Sequence, residues 1–287
     1  RKMKLFLNPT SIHHSNRAGL NHMVKYLNID MVNNIGDADV VYSPSQPLPI
    51  HNYPYKKFIF GPHFSVFPNQ LALSLNGVHN NAVYIQPSQP SVDTWVGEFG
   101  FKNIPVRAFP FPLNVDGIKV SNNIKDKVLV YHKYRKPEEL KMVLDLLSAN
   151  NVTYEVITYG KYNEGDYQRI LDSCKYVIWV GCHESQGFAL ESVLAKNIPI
   201  LVWSVKLRIQ QAGWEKEYAN VKSEVTSVPY WDERCGEKFY TGDELENSFN
   251  TFISKLDSYK PREFTKEVLS IETCSNNLLK LIDNIGK

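Results

Sequence analysis

The chain has 287 residues, about twice the length of a typical domain, so we expect two halves that each have their own hydrophobic core. Its 43% hydrophobic and 22% charged content is typical of an ordered globular protein and excludes a disordered one. With 32 basic against 30 acidic side chains, the chain lacks the positive excess that favours nucleic-acid binding.

The four cysteines, Cys174, Cys182, Cys235 and Cys274, form neither a Cys-x-x-Cys pair nor a dense framework. This pattern favours reduced thiols over disulfides or a zinc site. The N-terminus lacks the apolar stretch of a signal peptide, and no segment approaches the ~18 apolar residues of a membrane-spanning helix. We therefore expect a cytoplasmic protein, for which a peripheral contact with a membrane stays open. Because position 1 is not Met, we expect a trimmed chain or a fragment of a longer one.

Short apolar runs, each followed by a polar loop and a helical pattern, recur along the first half, as in a parallel sheet with crossover helices. They predict strands at residues 4–7, 40–42, 58–60 and 82–85. Apolar residues at helical spacing predict a helix over residues 17–27. Proline-rich segments at residues 43–54 and 105–112 are predicted as loops, because proline lacks an amide donor and restricts its neighbour.

The same alternation of apolar runs and helical patterns recurs in the second half. It predicts strands at residues 128–131, 154–158, 176–180 and 198–203, and helices at residues 137–148, 166–173 and 188–196. Two further helical patterns, at residues 243–256 and 270–285, are separated by Pro261. We therefore expect one Rossmann-like domain over residues 1–117, a second over residues 118–260, and a C-terminal helix within residues 261–287 that packs back on the first domain.

The loop at residues 181–187 follows the most apolar strand of the second half and leads into a helix. Ligands bind at the carboxyl ends of parallel strands, and a glycine there lets the backbone approach a phosphate at a helix N-terminus. A carboxylate such as Glu184 can accept hydrogen bonds from sugar hydroxyls. The alternative is that Glu184, Ser185 and Gln186 only cap the helix, since such residues are common in first turns.

The segment Glu184-Ser185-Gln186-Gly187-Phe188-Ala189-Leu190, with Ser192-Val193-Leu194-Ala195 and Ile198-Pro199-Ile200 after it, resembles the donor-site motif of GT-B glycosyltransferases, particularly the GT4-like group. The resemblance implies an α/β fold of GT-B architecture, with two Rossmann-like β/α/β domains facing across a cleft. It also implies that Glu184 lies near the donor sugar, together with Ser185 and Gln186. In that family a second glutamate, eight positions onward, contacts the ribose.

Ser192 stands at the position of the second glutamate, and Glu191 is offset from it by one residue. Either Ser192 replaces the ribose contact, or Glu191 makes it through a local shift. One residue along a helix turns a side chain by about 100 degrees, which favours Ser192.

Basic side chains follow the first strand of the second half, where the family often binds the donor phosphates. The resemblance implies this role for Lys133 and Arg135, together with the backbone of Gly187. An ordinary solvated basic loop is the alternative. After the next strand, Gly160 could let a nucleobase approach the backbone beside Tyr159 and Tyr162, although a turn glycine with a core tyrosine fits this pattern equally well.

Candidates on the acceptor side lie in the first half. His63 follows a predicted strand and could act as a base near neutral pH, with a packed histidine as the alternative. The polar and basic residues of the first strand–helix loop are further candidates, namely His13, His14, Asn16 and Arg17. The Asp37-x-Asp39 spacing is discounted as a metal site, because Asp39 begins a buried strand. The resemblance implies a reaction without metal.

The sequence therefore predicts a metal-independent glycosyltransferase of the hexosyltransferase class. It would move a sugar from a nucleoside-diphosphate sugar, its co-substrate, to an acceptor hydroxyl of a glycan or glycoconjugate, without any other cofactor. Two alternatives stay open, because a fold alone does not fix a reaction. They are a sugar-nucleotide epimerase of the same fold and a non-catalytic protein that binds sugar nucleotides.

Overall fold

The computed structural model describes residues 1–75 and 80–287. These residues form two compact units: unit 1 contains Arg1–Asn114 and Leu269–Lys287, and unit 2 contains Val115–Val268. The chain thus leaves unit 1 once and returns to it with its last residues.

The strands, in chain order, are β1 (Lys4–Leu7), β2 (Asp30–Val32), β3 (Val40–Ser43), β4 (Lys57–Phe60), β5 (Ala82–Gln86), β6 (Val106–Ala108), β7 (Lys127–Lys133), β8 (Glu155–Thr158), β9 (Cys174–Gly181), β10 (Ile200–Trp203) and β11 (Gly236–Phe239). The α-helices are α1 (His14–Tyr26), α2 (Gln70–Leu73), α3 (Gln89–Asp93), α4 (Pro137–Ala149), α5 (Glu164–Leu171), α6 (Phe188–Ala195), α7 (Leu245–Ser254), α8 (Pro261–Leu269) and α9 (Ile271–Asn284). Short 3-10 turns and one π-helical turn (Thr94–Glu98) complete the described elements.

Unit 1 is built on a parallel sheet with the strand order β2-β1-β3-β4-β5-β6. The chain moves from β1 outward to β2 and then crosses back to β3 on the other side of β1. The loops that follow β1 and β3 therefore diverge, which is the arrangement that opens a crevice at the carboxyl edge of such a sheet. The last helix of the chain, α9, packs against α1 in the same unit.

Unit 2 is built on a second parallel sheet with the order β11-β10-β9-β7-β8. Alternate residues of β7 face opposite sides, as the pleat of a strand requires. Leu129 and Tyr131 pack in a core with residues of α5, α6 and α8, whereas Val128 and Val130 pack in a second core with residues of α4 and α7. Both faces of the sheet are thus covered, and this explains why its strands read as continuous apolar runs.

The sheet of unit 2 also changes direction at its centre. From β7 the chain goes outward to β8, and it then returns to place β9, β10 and β11 on the other side of β7. The switch point lies between β7 and β9, so the loops that follow these two strands separate and leave a crevice at the carboxyl edge.

Some elements differ from those predicted. The segment at residues 105–112, predicted as a loop, contains the short edge strand β6, whose three residues lie between flanking prolines. Proline is tolerated at such an edge because few ladder bonds are lost there. The short strands β2 and β11 and the helix α8 were not predicted. Pro261, which the sequence predicts to separate two helices, is the first residue of α8, a position where its missing N–H costs nothing.

The end of unit 2 lies at Val268 rather than at residue 260, because α8 is held by unit 2. The guanidinium of Arg262 donates to the carbonyl oxygens of Val115, Ile118 and Ala195 at 2.5–3.0 Å. Phe264 is buried in the same core as α6. Of residues 261–287, only Leu269–Lys287, which include α9, belong to unit 1.

Candidate functional site

The carboxyl edge of the unit 2 sheet, at the switch point, gathers the polar side chains that the sequence singles out. Strand β7 ends at Lys133 and pairs there with Gly181, the last residue of β9. The loop after β9 continues through Glu184 to Gly187, where α6 begins. The two loops therefore leave the sheet side by side and in register.

An ion pair joins these two loops. The Lys133 ammonium lies 2.8 Å from a carboxylate oxygen of Glu184, and each side chain is 16% exposed. The Lys133 ammonium also lies 4.4 Å from the centre of the Tyr159 ring, which follows β8. Residues from three separate strand ends thus meet at one point, and two of them carry opposite charges.

Burial and ion pairing have opposite effects on the pKa values of Lys133 and Glu184. Burial raises the pKa of the Glu184 carboxyl, while the charge of Lys133 and its hydrogen bond oppose the rise. Burial lowers the pKa of Lys133, but the charge and the hydrogen bond of Glu184, together with smaller contributions from Cys182 and Tyr159, raise it overall. Lys133 therefore keeps its proton firmly, and the pair offers one cation and one acceptor to a ligand that can replace the internal contact.

Gly187 sets the start of α6. Its φ of 93° and ψ of 47° lie in the left-handed region, which glycine enters without the cost that a side chain imposes. Gly187 is itself the N-cap residue and has no side chain to cover the first turn. Glu184 is instead engaged with Lys133, and its own amide donates to the carbonyl of Thr226. The first turn of α6 thus presents the positive end of a helix at the same edge.

Other residues of the motif form hydrogen bonds within the loop and the helix that follows it. The Gln186 amide donates to the Glu191 carboxylate at 3.0 Å, and both side chains are buried. The Ser192 hydroxyl is half-buried and donates to the carbonyl of Phe188. Ser185 is exposed at the turn. Of the two candidates for a ribose contact, Glu191 is therefore engaged inside the unit, while Ser192 lies partly at the surface.

Arg135, two residues beyond Lys133, points into the protein. Its side chain is 1% exposed, and its guanidinium pairs with Glu139. It also donates to the carbonyls of Gly181 and Trp203 at 3.0 and 2.7 Å, which ties together the ends of β9 and β10. This arrangement favours a structural role for Arg135 over the phosphate contact that the sequence predicts, because its donors are directed to protein acceptors.

The residues predicted to hold a nucleobase divide into two environments. Tyr159 is 45% exposed at the sheet edge and is contacted by the Tyr134 ring at 5.5 Å between centroids. A Cβ built on Gly160, whose φ is 76°, would meet nothing within 4 Å, so the space beside it is open. Tyr162, in contrast, packs against Tyr131 in the core. Tyr159 and Gly160 are therefore the two of these residues that border open space at the sheet edge.

The acceptor-side candidates of the first half also come together, at the carboxyl edge of the unit 1 sheet. His63 follows β4, and its Nε2 accepts a hydrogen bond from the backbone N–H of His13 at 3.3 Å and lies 3.0 Å from the Asn16 amide nitrogen. Burial, followed by the charge of His13, lowers the pKa of His63 to about 4. At neutral pH the ring is therefore neutral, and its Nε2 lone pair is already engaged. This favours a positioning role over the predicted base.

The neighbouring candidates are more exposed. The rings of His13 and His14 lie 4.2 Å apart, and Arg17 is exposed one turn further along α1. The His13 ring caps α1 by accepting from the amide of Ser15. Asp39, which belongs to the Asp37-x-Asp39 spacing, accepts a hydrogen bond from the amide of Lys4 and pairs with Arg1.

Three residues near the donor-side loops were not singled out by the sequence. His183 precedes Glu184, Arg208 follows β10, and the Tyr218 ring lies edge-on to His183 at 5.6 Å. The rule that ligands bind beyond the carboxyl ends of parallel strands would have pointed to the loop after β10 as well as to the loop after β9. No residue pattern marked Arg208 within that loop.

The four cysteines are free thiols, and all are buried. Across residues 1–75 and 80–287, the structure has no group of three or more His, Cys, Asp or Glu side chains arranged to hold a metal ion. Within the same described part of the chain, every helix is too short or too polar to cross a bilayer.

Several solved structures resemble the whole chain. HepE from Anabaena, solved with UDP and glucose, matches 99% of this chain and 100% of its own at a TM-score of 0.56 and 12% identity. The lipopolysaccharide outer core galactosyltransferase WaaB matches 99% of each chain at a TM-score of 0.55 and 12% identity. AviGT4, a glycosyltransferase of avilamycin A biosynthesis, covers 98% of this chain and 97% of its own at a TM-score of 0.54 and 12% identity.

No protein-family model and no curated protein matches the sequence. The structural likeness nevertheless extends over both units, and both sheets are parallel with helices as crossovers. The chain therefore has the GT-B fold, with two Rossmann-like α/β domains.

Proposed function

We propose that this protein is a glycosyltransferase that moves a sugar from a nucleoside-diphosphate sugar to a hydroxyl group of a carbohydrate or glycoconjugate. The observation that carries the proposal is the Lys133–Glu184 ion pair at the switch point of a parallel sheet, beside the left-handed Gly187. The likeness to HepE, whose structure contains UDP and glucose, supports it.

The donor would bind on unit 2. Lys133 and the first turn of α6 attract a diphosphate, because both present positive charge at one edge of the sheet. Glu184 accepts hydrogen bonds from the hydroxyls of the donor sugar. Binding would open the ion pair, so that each partner exchanges its internal contact for a contact with the donor.

The nucleoside would extend along the open side of the same edge. Tyr159 provides an exposed aromatic ring for the base, and Gly160 leaves room for it. We assign the ribose contact to Ser192, because Glu191 is engaged with Gln186 inside the unit. The partial exposure of Ser192 supports this choice.

In the reaction, the bond between the anomeric carbon of the sugar and the diphosphate oxygen breaks, and the acceptor oxygen bonds to the anomeric carbon. The acceptor proton passes to the departing diphosphate or to solvent. Negative charge grows on the leaving oxygen, and donors that already point there stabilise it without reorganisation. Lys133 and the amides after Gly187 supply that stabilisation from protein groups, so the proposed reaction is metal-independent.

The test is a thermal-shift and calorimetric screen of the protein against UDP-, GDP-, dTDP- and ADP-sugars, followed by a donor-hydrolysis assay. A ligand at 100 times its dissociation constant adds about 2.7 kcal/mol to the free energy of unfolding, which is readily detected. Lys133→Met and Glu184→Gln should abolish the shift. The matched control is the exposed Lys141–Asp145 ion pair on α4, whose variants Lys141→Met and Asp145→Asn should bind the donor as the wild type does.

The outcomes separate the alternatives. If no sugar nucleotide stabilises the protein, the proposed function is wrong. Binding without release of sugar or transfer to an acceptor would indicate a non-catalytic binding protein. Formation of an altered sugar nucleotide, with no acceptor present, would indicate an epimerase.

A further inference from the structure

A groove of about 490 Å³ lies in unit 1, between the edge of its sheet and the last helix of the chain. It extends from the first residues of β5 along the edge strand β6, and its other wall is α9. None of the described residues that follow β1, β3 or β4 lines the groove. The groove is therefore separate from the crevice at the switch point of this sheet.

Helix α9 forms one wall of the groove because two of its faces contribute to unit 1. The apolar face, with Leu278 and Ile282, is buried, and α9 packs against α1. Asn277, Lys280 and Asn284 follow one another at intervals of three and four residues, so they share a second face. All three line the groove. The spacing of polar residues along α9 thus places their side chains on this wall.

Arg107 lines the groove from β6. One of its guanidinium nitrogens donates to the carbonyl of Val106 at 3.0 Å, and its other donors have no partner within residues 1–75 and 80–287. Lys280 forms no ion pair in that part of the chain either. A lysine near the end of a helix also stabilises the helix, but an arginine on a strand has no such role. The described residues that line the groove include no Asp or Glu, so their side chains carry only positive charge.

Side-chain amides add neutral polar groups to this lining. The amides of Asn277 and Asn284 form no hydrogen bond with the described residues of the chain. Each amide offers two donors and one acceptor oxygen, whereas lysine and arginine can only donate. The groove can therefore bind a ligand in which an anionic group and hydroxyl groups lie side by side.

We propose that this groove binds a soluble phosphate ester of a sugar or of a similar polyol. The phosphate lies between Arg107 and Lys280, since a guanidinium and an ammonium both form charge-assisted hydrogen bonds with phosphate oxygens. The hydroxyl groups contact Asn277 and Asn284. The volume of the groove is within the range of small-molecule sites, roughly 300–1,000 Å³. The inference is independent of the proposed function and assigns a ligand site to unit 1 alone.

Calorimetry of the full chain tests the proposal, with glucose 6-phosphate, inorganic phosphate and glucose as probes. The wild type should bind glucose 6-phosphate more tightly than phosphate, and glucose without detectable heat. Arg107→Gln and Lys280→Gln should each weaken the binding of both phosphate probes by roughly tenfold, because each removes a charge-assisted hydrogen bond. Asn277→Leu should weaken the binding of glucose 6-phosphate alone, because inorganic phosphate has no sugar hydroxyl to contact the amide.

Two control variants accompany these substitutions. Lys25→Gln is matched to Lys280→Gln, since Lys25 is an exposed lysine in the last turn of α1, and it should bind all probes as the wild type does. Lys133→Met alters the proposed donor site on unit 2 and should also leave the binding of glucose 6-phosphate unchanged. Circular dichroism and the melting temperature establish that each variant is folded.

Four results would each overturn the inference. The folded wild type could fail to bind glucose 6-phosphate, or it could bind inorganic phosphate equally well, which would indicate an adventitious ion only. Binding that is lost in Lys133→Met and kept in Arg107→Gln would place the ester on unit 2. Sedimentation with vesicles that contain phosphatidylglycerol, without binding of the soluble ester, would indicate a lipid surface instead. The screen of sugar nucleotides tests the proposed function separately, so either proposal can fail while the other stands.

Discussion

Replacing Glu191 with glutamine should stabilise the protein near neutral pH. Glu191 is 1% exposed, one of its oxygens accepts from Gln186, and the other has no hydrogen-bond partner. Burial raises the pKa of Glu191 to about 8; the bond from Gln186 opposes the rise and the charge of Glu184 adds to it. The carboxyl is therefore protonated in the folded protein at neutral pH, and Glu191→Gln keeps its shape and its bond to Gln186.

The magnitude follows from the difference in proton binding between the two states. Between pH 4.5 and about pH 8, the unfolded chain has lost the Glu191 proton while the folded chain keeps it. Each pH unit in this window stabilises the unfolded wild type by about 1.4 kcal/mol, so the stability of the wild type falls as the pH rises. Glutamine has no proton to lose. At pH 7 the variant should exceed the wild type by about 3 kcal/mol in the free energy of unfolding.

Urea unfolding of the full chain, followed by tryptophan fluorescence from about pH 5 to pH 8, measures this difference. Four of the five tryptophans lie in unit 2, so the signal reports mainly on the unit that contains Glu191. The control is Glu246→Gln at an exposed position of α7, for which we expect a small and nearly constant difference. A Glu191→Gln difference that does not grow with pH would show that the carboxyl is ionised in the folded protein, and the reasoning would fail.

Three further substitutions have defined consequences. Gly187→Ala should destabilise the protein by about 1–2 kcal/mol, seen as a lower melting temperature, because a side chain is strained at its φ of 93°; an unchanged melting temperature would contradict this. Arg135→Met should cost about 2–4 kcal/mol in urea unfolding, since the Gly181 and Trp203 carbonyls lose the guanidinium donor, although the Ser227 hydroxyl still donates to Gly181; an intact fold with weaker diphosphate binding would instead restore its predicted phosphate role. Ser270→Ala removes the N-cap of α9, whose hydroxyl accepts from the Thr273 amide, and should cost about 1 kcal/mol, measured by hydrogen exchange in α9.

Much of the fold could be predicted because the central strands are buried on both faces. Such strands read as apolar runs, and those of unit 2 were placed within two residues at nearly every end. The missed elements are those without this signal. Strand β6 has only three residues and lies at a sheet edge, and α8 begins at Pro261, where a proline is compatible with a helix.

The sequence predicts the individual loops of the candidate site, but not which of their residues lie next to each other. Lys133 and Glu184 were found because each follows a strand, but their pairing depends on β7 and β9 being neighbours, which a sequence without strand order does not give. Lys133 and Arg135 looked equivalent in the sequence. Tyr134 between them adopts a φ of 51°, which turns the chain and sends Arg135 inward. A local backbone reversal of this kind has no residue pattern when the residue is not glycine.

The switch points of the two sheets differ in charge, and this difference supports the proposed position of the donor. In unit 2 the switch point carries opposite charges, Lys133 and Glu184, on neighbouring loops. In unit 1 the corresponding loops, after β1 and β3, are joined by a neutral hydrogen bond of 2.9 Å from Asn8 to Ser43, and the nearby His63 is held neutral. A leaving diphosphate requires positive charge beside it, because negative charge grows on its oxygen as the bond to the sugar breaks. The opposite charges of Lys133 and Glu184 at the switch point of unit 2 therefore support the proposed binding of the donor on unit 2.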